Sequence, residues 1–395
     1  MKKNVLSLLL AIPILIVFTM SKCDNTETAA FRDEATENLF QNLRVMSTQN
    51  KIMFGVANPT SIMYKERHIY EGFETSDIKE ITGQNPAFYE SDFMWFDNDS
   101  LIAPDKEAMR KAYERGAVVG YCWHLRGPES NSFYSRVNNR FSADKNLVKD
   151  ILAGGSREEN RALDWLLTEL DTMVIPTFKE LAFPLVFRPW HEMNGGWFWW
   201  GKDNCTPDEL VQLFQLTVDY IRDSGVRNVL YCWSPDTYFL KEYYPGDEYV
   251  DILGLDIYEM GAVDYKPIEL VVAELEKLTD YADSVGKVAA ITETGLRIDN
   301  GVFRYPEVNP YYWSQNILEP IINNEKLKRL VWVLSWYSSD WSQYRKSQVY
   351  YPYVGMENDF ERGQDAIDDF LLFFNHEATL FEDDLPDMYN KPQVN

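Results

Sequence analysis

Two glutamates stand in stretches of the chain that are otherwise apolar. Glu192 ends the run 185–192, and Glu293 lies within the run 289–295. A carboxylic acid in such a run costs free energy unless it is paired or has a chemical use. A structural salt bridge is the alternative explanation for each glutamate. Two carboxyl groups that share one site suit general acid–base and nucleophilic chemistry.

Other side chains that bind polar ligands also stand at the ends of apolar runs. These residues are His124, His191, Asp256, Tyr258 and Trp336. In a barrel of alternating strands and helices, the carboxyl ends of the strands build the active site. The sequence therefore predicts that these residues and the two glutamates share one site.

The elements that must position this site follow a regular alternation. Eight short apolar runs occupy residues 52–58, 86–93, 117–124, 185–192, 229–236, 251–258, 289–295 and 330–337. Helical stretches lie between them at 105–116, 160–181, 207–225, 269–286 and 313–324. This alternation favours a parallel sheet covered by helices, and eight repeats favour closure into an α/β fold, the (β/α)8 TIM barrel. We predict a single catalytic domain over residues 33–395, with a last amphipathic helix at 366–374.

Two carboxyl groups at the mouth of one barrel suit the hydrolysis of glycosidic bonds, which uses a pair of Asp or Glu residues on either side of the bond. Glu192 stands beside an aromatic cluster, formed by Trp190, Trp197, Phe198, Trp199 and Trp200. Because poor hydration raises the pKa of a carboxyl group, Glu192 is the candidate acid. Strands four and seven face each other across a barrel filled by side chains, which favours the ~5–5.5 Å carboxyl separation of retaining enzymes. Glu293 is then the candidate nucleophile.

The composition excludes one class of partner and favours another. The chain of 395 residues has 62 acidic and 38 basic side chains and a formal net charge of −24. Nucleic acid is excluded as a partner, since phosphate binding needs clustered Lys and Arg. Aromatic residues make up 15% of the chain, and although many must fill the core, their rings also suit the faces of sugars. We expect a monomer that binds a neutral polysaccharide.

The amino terminus carries an export signal. Lys2 and Lys3 precede an apolar run at 5–20, which is the pattern of a secretory signal. Cys23 follows, and a Cys directly after such a run resembles the lipidation site of a bacterial lipoprotein. We predict a signal peptide at 1–22, lipidation at Cys23 and a polar tether at 23–32. The protein would leave the cytoplasm and be lipid-anchored to a bacterial membrane, the outer membrane; an uncleaved anchor helix is the alternative.

The sequence favours neither a metal site nor a serine nucleophile. Cys122, Cys205 and Cys232 remain after Cys23, and this odd number implies no disulfide framework. Residue Gly195 stands where an HExxH zinc motif needs a second His, and the chain contains no CxxC pair and no GxSxG elbow. We expect no metal and no cofactor.

A long motif around Glu192 resembles a known family. Residues 187–201 read FRPWHEMNGGWFWWG, which resembles the acid/base signature of glycoside hydrolase family 26, best known for β-mannanases. The resemblance continues through 121–124, through 244–251 into 255–258, and through 292–295, so that it covers nearly all of the mature chain. It implies hydrolysis of β-1,4-mannosidic bonds in mannan, galactomannan or glucomannan.

The resemblance also implies roles for individual residues. Glu192 would be the acid/base and Glu293 the nucleophile. His191 would orient the nucleophile, and Tyr258 would hydrogen-bond it. His124 would contact a sugar on the donor side. The indoles of Trp197 and Trp336 would stack on sugar rings near the cleavage point. The complete predicted substrate-binding set is His124, His191, Trp197, Asp256, Tyr258 and Trp336.

At one position the chain departs from the family pattern. Many mannanases of the family follow the strand-eight Trp with an Arg that helps to bind the second donor sugar, but here Tyr337 follows Trp336. We expect internal cleavage, although this departure leaves end trimming open. The alternatives are a family relative that acts on β-1,3-xylan or mixed-linkage β-glucan, and a non-catalytic glycan-binding lipoprotein of the cell surface. The presence of both glutamates favours an enzyme.

Overall fold

The computed structural model describes residues 31–64, 72–137, 140–258, 266–296, 298–299, 302–303, 310–341 and 346–392. The predicted signal peptide at 1–22, Cys23 and nearly all of the predicted tether at 23–32 lie outside these residues. Arg32, the last residue of that tether, packs against the folded domain: its guanidinium forms ion pairs with Glu37, at 2.8 Å, and with Asp251.

Eight parallel strands close into a barrel. They are β1 (Ile52–Ala57), β2 (Phe88–Asp92), β3 (Val118–Trp123), β4 (Leu185–Pro189), β5 (Val229–Trp233), β6 (Ile252–Asp256), β7 (Val288–Thr294) and β8 (Leu330–Ser335). Strands adjacent in sequence are hydrogen-bonded neighbours, and β8 pairs with β1 to close the sheet. All eight strands expected from the apolar runs are confirmed, as is the TIM barrel.

Helices cover the outside of this barrel. They are α1 (Glu34–Met46), α2 (Asp77–Thr82), α3 (Asp99–Glu114), α4 (Leu147–Ile151), α5 (Arg161–Glu169), α6 (Ile175–Leu181), α7 (Pro207–Asp223), α8 (Ile268–Ser284), α9 (Glu319–Ile322), α10 (Met356–Asp359) and α11 (Gly363–Phe374). The helical stretches predicted between the strands are confirmed. The stretch 160–181 is divided, because the π-helical segment Leu170–Val174 joins α5 to α6.

Several short strands and a second π-helical segment lie outside the eight strands of the barrel. The largest is a small antiparallel sheet that follows β7 and β8, formed by Ile298–Asp299, Val302–Phe303, Ser339–Trp341 and Lys346–Val349. A hairpin after β3 pairs Arg136–Val137 with Arg140–Phe141, and Thr379–Leu380 adds a parallel pairing to β1. A second π-helical segment, Tyr312–Leu318, precedes α9.

Local sequence signals explain where a helix such as α7 begins and ends. The Thr206 hydroxyl accepts from the Glu209 amide at 3.3 Å, and the Glu209 carboxylate accepts from the Thr206 amide at 2.8 Å. This reciprocal cap and Pro207 in the first turn fix the start of the helix. Gly225, with a φ of 88°, takes the left-handed conformation that ends it.

Side chains fill the barrel and leave its carboxyl end for the site. One buried cluster contains side chains from all eight strands together with Leu39, Leu43 and Met46 of α1. Helix α1 therefore packs against the hydrophobic filling of the barrel. Cys122 and Cys232 are buried free thiols, as expected for small hydrophobic residues in strands. Across the described residues, no helix combines the length and the apolar character that a membrane span requires.

Candidate active site

Polar side chains at the carboxyl ends of the strands surround a cleft of about 460 Å³. Seven of the eight residues predicted for the site line it, namely His124, His191, Glu192, Trp197, Tyr258, Glu293 and Trp336. A larger cavity of about 560 Å³ lies beside the loops after β2 and β3, and neither Glu192 nor Glu293 lines it. The larger cavity has carboxyl groups of its own, but the two glutamates predicted from the apolar runs both line the cleft, which is therefore the candidate active site.

Glu192 stands on a tight loop that begins where β4 ends. Trp190 and Glu192 have φ angles of 54° and 52°, the left-handed region that side chains other than glycine rarely adopt. Each such residue costs about 1–3 kcal/mol. The Glu192 amide donates to the Ser234 carbonyl at 2.8 Å, and the Glu192 carbonyl accepts from the Gly195 amide at 2.8 Å. These bonds hold the strained backbone so that the carboxyl group points into the cleft.

The Trp197 indole folds back to reach this carboxyl group. Its Nε1 donates to Glu192 Oε2 at 2.6 Å, while the side chain remains partly exposed at the cleft wall. The indole lies directly over Gly195, since a Cβ at that position would come within 2.3 Å of Trp197 Cζ2. The glycine in the sequence is therefore required by the hydrogen bond between Trp197 and Glu192.

The surroundings of Glu192 favour its protonated form. Burial is the largest cause that raises its pKa well above the usual value, followed by the negative charges of Glu293, Asp256 and Asp236. The Trp197 hydrogen bond acts in the opposite direction. Because the first causes prevail, Glu192 can hold a proton for a leaving group.

Glu293, on β7, is held by two donors. The Tyr258 hydroxyl donates to Oε1, and Arg188 Nη2 donates to Oε2 at 3.0 Å. Arg188 also pairs with Glu90 at 2.7 Å and with Asp256 at 2.9 Å, and it is buried in the barrel. Both carboxylate oxygens of Glu293 are thus fixed in direction, as an attacking nucleophile requires.

Asp256 takes a different place from the one expected. Its side chain is 0% exposed, and its oxygens accept hydrogen bonds from Arg188 at 2.9 Å and from Thr292 at 2.6 Å. A sugar in the cleft cannot reach a carboxylate that is buried in this way. The structure therefore corrects the expectation that Asp256 binds substrate: it supports Arg188 from below the cleft.

A hydrogen-bonded chain of side chains runs along the cleft wall. His124 Nδ1 lies 2.5 Å from Asp92 Oδ2, the Nε2 atoms of His124 and His191 are 3.1 Å apart, and His191 Nδ1 lies 3.4 Å from Cys122 Sγ. Burial, and then the charges of His124 and Arg188, hold the pKa of His191 well below its usual value, so its ring is neutral. Burial also raises the pKa of the Cys122 thiol, which keeps its proton.

These hydrogen bonds affect two expectations, the absence of a metal ion and the role of His191. Ligand atoms of Cys122, His124 and His191 lie within 4.8 Å of one another, a spacing that could hold a metal ion. All three are engaged in the hydrogen bonds just described, and a protonated thiol is a poor ligand. His191, which was expected to orient Glu293, makes its described side-chain hydrogen bonds to Cys122 and His124 instead. Arg188 holds the nucleophile.

Trp336 and Tyr337 follow β8 and both line the cleft. The Trp336 ring lies 5.6 Å from the His124 ring and 5.0 Å from the Tyr337 ring, measured between centroids. Trp95 contacts the Tyr337 ring, at 5.8 Å. Burial raises the pKa of the Tyr337 hydroxyl, which therefore stays a neutral donor or acceptor.

Arg188, Glu90 and Asp92 belong to the site but were not among the residues predicted for it. All three are charged residues within strands whose other members are buried. The cost of burying a charge, which singled out Glu192 and Glu293, applies equally to them. That signal was present in the sequence.

Comparisons with known proteins agree with this geometry. The model of the family described as glycosyl hydrolase family 26 matches residues 30–317. A mannan endo-1,4-beta-mannosidase of Bifidobacterium adolescentis is 30% identical over 287 residues, which is 66% of this chain but only 27% of that protein. A mannan endo-1,4-beta-mannosidase of Bacillus subtilis is 28% identical over 275 residues, covering 65% of this chain and 69% of that protein.

Solved structures extend the similarity over most of the fold. GH26C from Muricauda sp. MAR_2010_75 has a TM-score of 0.78 at 29% identity and covers 93% of this chain and 98% of its own. The GH26 beta-mannanase BoMan26A from Bacteroides ovatus has a TM-score of 0.75 at 27% identity and covers 92% of this chain and 99% of its own. Nearly the whole length of each of these two structures is therefore similar to the fold described above.

Proposed function

Since this chain belongs to glycosyl hydrolase family 26, we propose that it hydrolyses β-1,4-mannosidic bonds within mannan, galactomannan or glucomannan and retains the configuration at the anomeric carbon. One observation carries the proposal. A single open cleft contains two carboxyl groups with different surroundings. Burial favours the protonated form of Glu192, whereas two hydrogen-bond donors fix the orientation of the Glu293 carboxyl group. The similarity to proteins named mannan endo-1,4-beta-mannosidase supports the choice of substrate.

In the first step, Glu293 attacks the anomeric carbon of the sugar on the donor side. The bond from that carbon to the bridging oxygen breaks, and Glu192 gives its proton to this oxygen as the shortened chain leaves. Arg188 and Tyr258 keep the attacking carboxylate in line during this step. The product is a covalent glycosyl ester on Glu293.

In the second step, Glu192 acts as a base. Esterification removes the negative charge of Glu293, which is one of the causes that raise the pKa of Glu192. The pKa of Glu192 therefore falls once the ester has formed, and its carboxylate takes a proton from an attacking water. The bond between sugar and Glu293 breaks, and both residues return to their first state.

Tyr337 supports internal cleavage over end trimming. An Arg presents several donors to sugar hydroxyls, whereas Tyr offers one hydroxyl and a ring. With fewer polar contacts beside Trp336, productive binding depends on many sugars along a long chain. We expect mixed oligosaccharides early in digestion, and we expect Tyr337→Arg to improve the cleavage of short oligosaccharides through a lower KM. Early release of a single dimeric product would contradict this proposal.

Digestion of a panel of polymers tests the substrate. Purified protein is incubated with plain mannan, galactomannan, glucomannan, β-1,3-xylan and mixed-linkage β-glucan, and product sizes are followed over time. We expect activity on the mannans alone. Activity on xylan or mixed-linkage glucan without activity on mannan would overturn the substrate, and binding without cleavage of any polymer would indicate a glycan-binding protein.

We also propose that the enzyme is exported and held at the outer membrane by lipid on Cys23. The support is in the sequence, where a charged and then apolar segment ends close to this Cys. Cys23→Ala should give a soluble or unprocessed protein, which cell fractionation detects. Retention of a processed Cys23→Ala protein in the membrane would reject lipidation, and protease treatment of intact cells separates surface from periplasmic exposure.

A further inference from the structure

The chain enters the folded domain on the side of the barrel opposite to the cleft. The cleft lies at the carboxyl ends of the parallel strands, and their amino ends form the other face, which we call the amino-end face. The Asp33 amide donates to the carbonyl of Arg227, two residues before β5, at 2.9 Å. Arg32 forms an ion pair with Asp251, which directly precedes β6. Residues 31–33, the entry segment, are therefore fixed to the amino-end face.

Side-chain contacts hold the entry segment firmly. The side chains of Arg32 and Asp251 are 7% and 3% exposed, and Arg32 also pairs with Glu37 of α1 at 2.8 Å. The guanidinium of Arg222, in the last turn of α7, lies 4.9 Å from the centre of the Phe31 ring. Breaking a buried ion pair leaves an uncompensated charge, which is strongly destabilising. The entry segment therefore marks a defined point from which the preceding chain departs.

The length of the preceding chain limits how the domain can lie relative to its anchor. Cys23, the proposed site of the lipid, lies eight residues before Phe31. Eight peptide units span at most about 29 Å, whatever their conformation. A compact domain of roughly 360 residues has a radius of gyration of about 21 Å and is roughly 50 Å across. A tether that starts on the amino-end face is therefore too short to reach round the barrel to the cleft.

We propose that the amino-end face of the barrel is turned towards the surface of a lipid bilayer and that the cleft opens away from it. The inference rests on the proposed lipidation of Cys23, and it adds the direction in which the anchored enzyme presents its site. A long polysaccharide then reaches the cleft from the surrounding solution, without passing between the domain and the membrane.

Energy transfer between protein and lipid tests this orientation. The lipidated chain is placed in vesicles of phosphatidylethanolamine and phosphatidylglycerol in which a small share of the headgroups carries an acceptor dye. A donor dye is attached either to Gln49→Cys, in the exposed turn before β1, or to Val137→Cys, which is 38% exposed in the hairpin after β3. Cys122, Cys205 and Cys232 are buried, so the introduced thiol is the one that reacts with the dye.

We expect several-fold higher transfer from position 49 than from position 137, because the second lies on the far side of a domain roughly 50 Å across. An insertion of about thirty Gly and Ser residues between Ala30 and Phe31 should remove most of this difference, since such a flexible linker is long enough to reach round the barrel. The same insertion after Asn395 is the matched control, and it should leave the difference unchanged. Activity on soluble galactomannan should be the same for the chain in vesicles and in detergent.

Other results would overturn the inference. Equal transfer from the two positions, or higher transfer from position 137, would show that the cleft does not open away from the bilayer. Activity on galactomannan that falls in vesicles, while activity on short oligosaccharides persists, would place the cleft against the bilayer.

The failure of the underlying proposals gives different results. Absence of lipid on Cys23 of the chain isolated from cells would reject the anchor and, with it, the orientation in the cell. Equal transfer when the Cys23 thiol is instead coupled to a maleimide-bearing lipid would reject the geometric argument alone. Failure to cleave any mannan would reject the proposed substrate, and the transfer measurements would still decide the orientation.

Discussion

The two carboxyl groups of the cleft are held by different parts of the fold. Glu192 stands outside its strand, on a loop with left-handed backbone at Trp190 and at Glu192 itself. Its environment is set by burial, by neighbouring negative charges and by one indole. Glu293 stands within β7 in extended backbone, and its two oxygens are bound by Tyr258 and Arg188. One group depends on the shape of a loop, and the other depends on direct contacts across the barrel.

This difference follows from the chemistry each group performs. An acid that must later act as a base needs a pKa that responds to its surroundings, and a desolvated loop provides that. A nucleophile needs a fixed direction, and a strand with two donors provides that. Changes to the loop should therefore alter proton transfer, while changes to the barrel contacts should alter attack and stability.

The largest expected effect is on Glu293 itself. Glu293→Ala removes the attacking carboxylate, and turnover of mannan should fall by about 10⁴-fold or more. Folding should persist, because Arg188 keeps its pairs with Glu90 and Asp256. Reducing-sugar release measures the first effect and circular dichroism the second. Residual activity of more than a few per cent would mean that another carboxylate is the nucleophile.

Loss of Glu192 should depend on the leaving group. Glu192→Ala should slow the cleavage of mannan by about 10²–10⁴-fold, because the departing sugar oxygen needs a proton. An aryl mannoside with an acidic phenol needs no proton, so its first step should be spared. A burst of phenol followed by slow turnover is the expected signature in stopped-flow absorbance. Equal losses on both substrates would contradict the acid/base role.

A barrel contact should affect stability more than a surface contact does. Arg188→Met leaves Glu90, Asp256 and Glu293 without their buried cation, and breaking such a pair costs about 3–5 kcal/mol. Thermal unfolding should show a lower Tm. Arg329→Met is the control, since its partners lie at the surface and such pairs contribute about 0–1 kcal/mol. Equal Tm values for the two variants would reject a structural role for the Arg188 network.

The strands could be predicted because their signal is local. Strands buried on both faces read as continuous apolar runs, and the rule that active sites lie at the carboxyl ends of barrel strands then placed Glu192 and Glu293 in one cleft. The division of residues 160–181 by a π-helical segment could not be predicted, because one added residue per turn leaves no clear mark on an apolar pattern.

The contacts among site residues were harder to predict than their presence. Asp256 and Tyr258 are two residues apart, yet one is buried below the cleft and the other lines it. The partners of Arg188 come from β2, β6 and β7, so they are known only after the barrel has closed in register. The partners of His191 were hard to predict for the same reason, since Cys122 and His124 come from the end of β3.

A smaller change to the loop should affect catalysis. Gly195→Ala places a Cβ within 2.3 Å of the Trp197 indole, which must move away and lose its 2.6 Å hydrogen bond to Glu192. A hydrogen bond to a carboxyl group corresponds to about 1.5–3 kcal/mol, so kcat should fall by at least about tenfold. Trp197→Phe should reproduce this loss, because it removes the same donor. Normal kcat in Gly195→Ala would show that the indole contact is dispensable.

The smallest expected effect is a shift of the pH profile, and its sign is fixed by the charges around Glu192. Activity falls on the alkaline side as Glu192 loses its proton, and the charge of Asp236 is one of the causes that raise its pKa. Asp236→Asn removes that charge, so the pKa of Glu192 falls and the alkaline limb of kcat/KM should move to lower pH. Trp197→Phe removes a hydrogen bond that lowers the same pKa, so its limb should move to higher pH. Profiles of both variants, with the exposed Asp171→Asn as control, test the two signs. Shifts of both variants in the same direction would mean that the pKa of Glu192 is set by something other than its neighbouring charges and its indole contact.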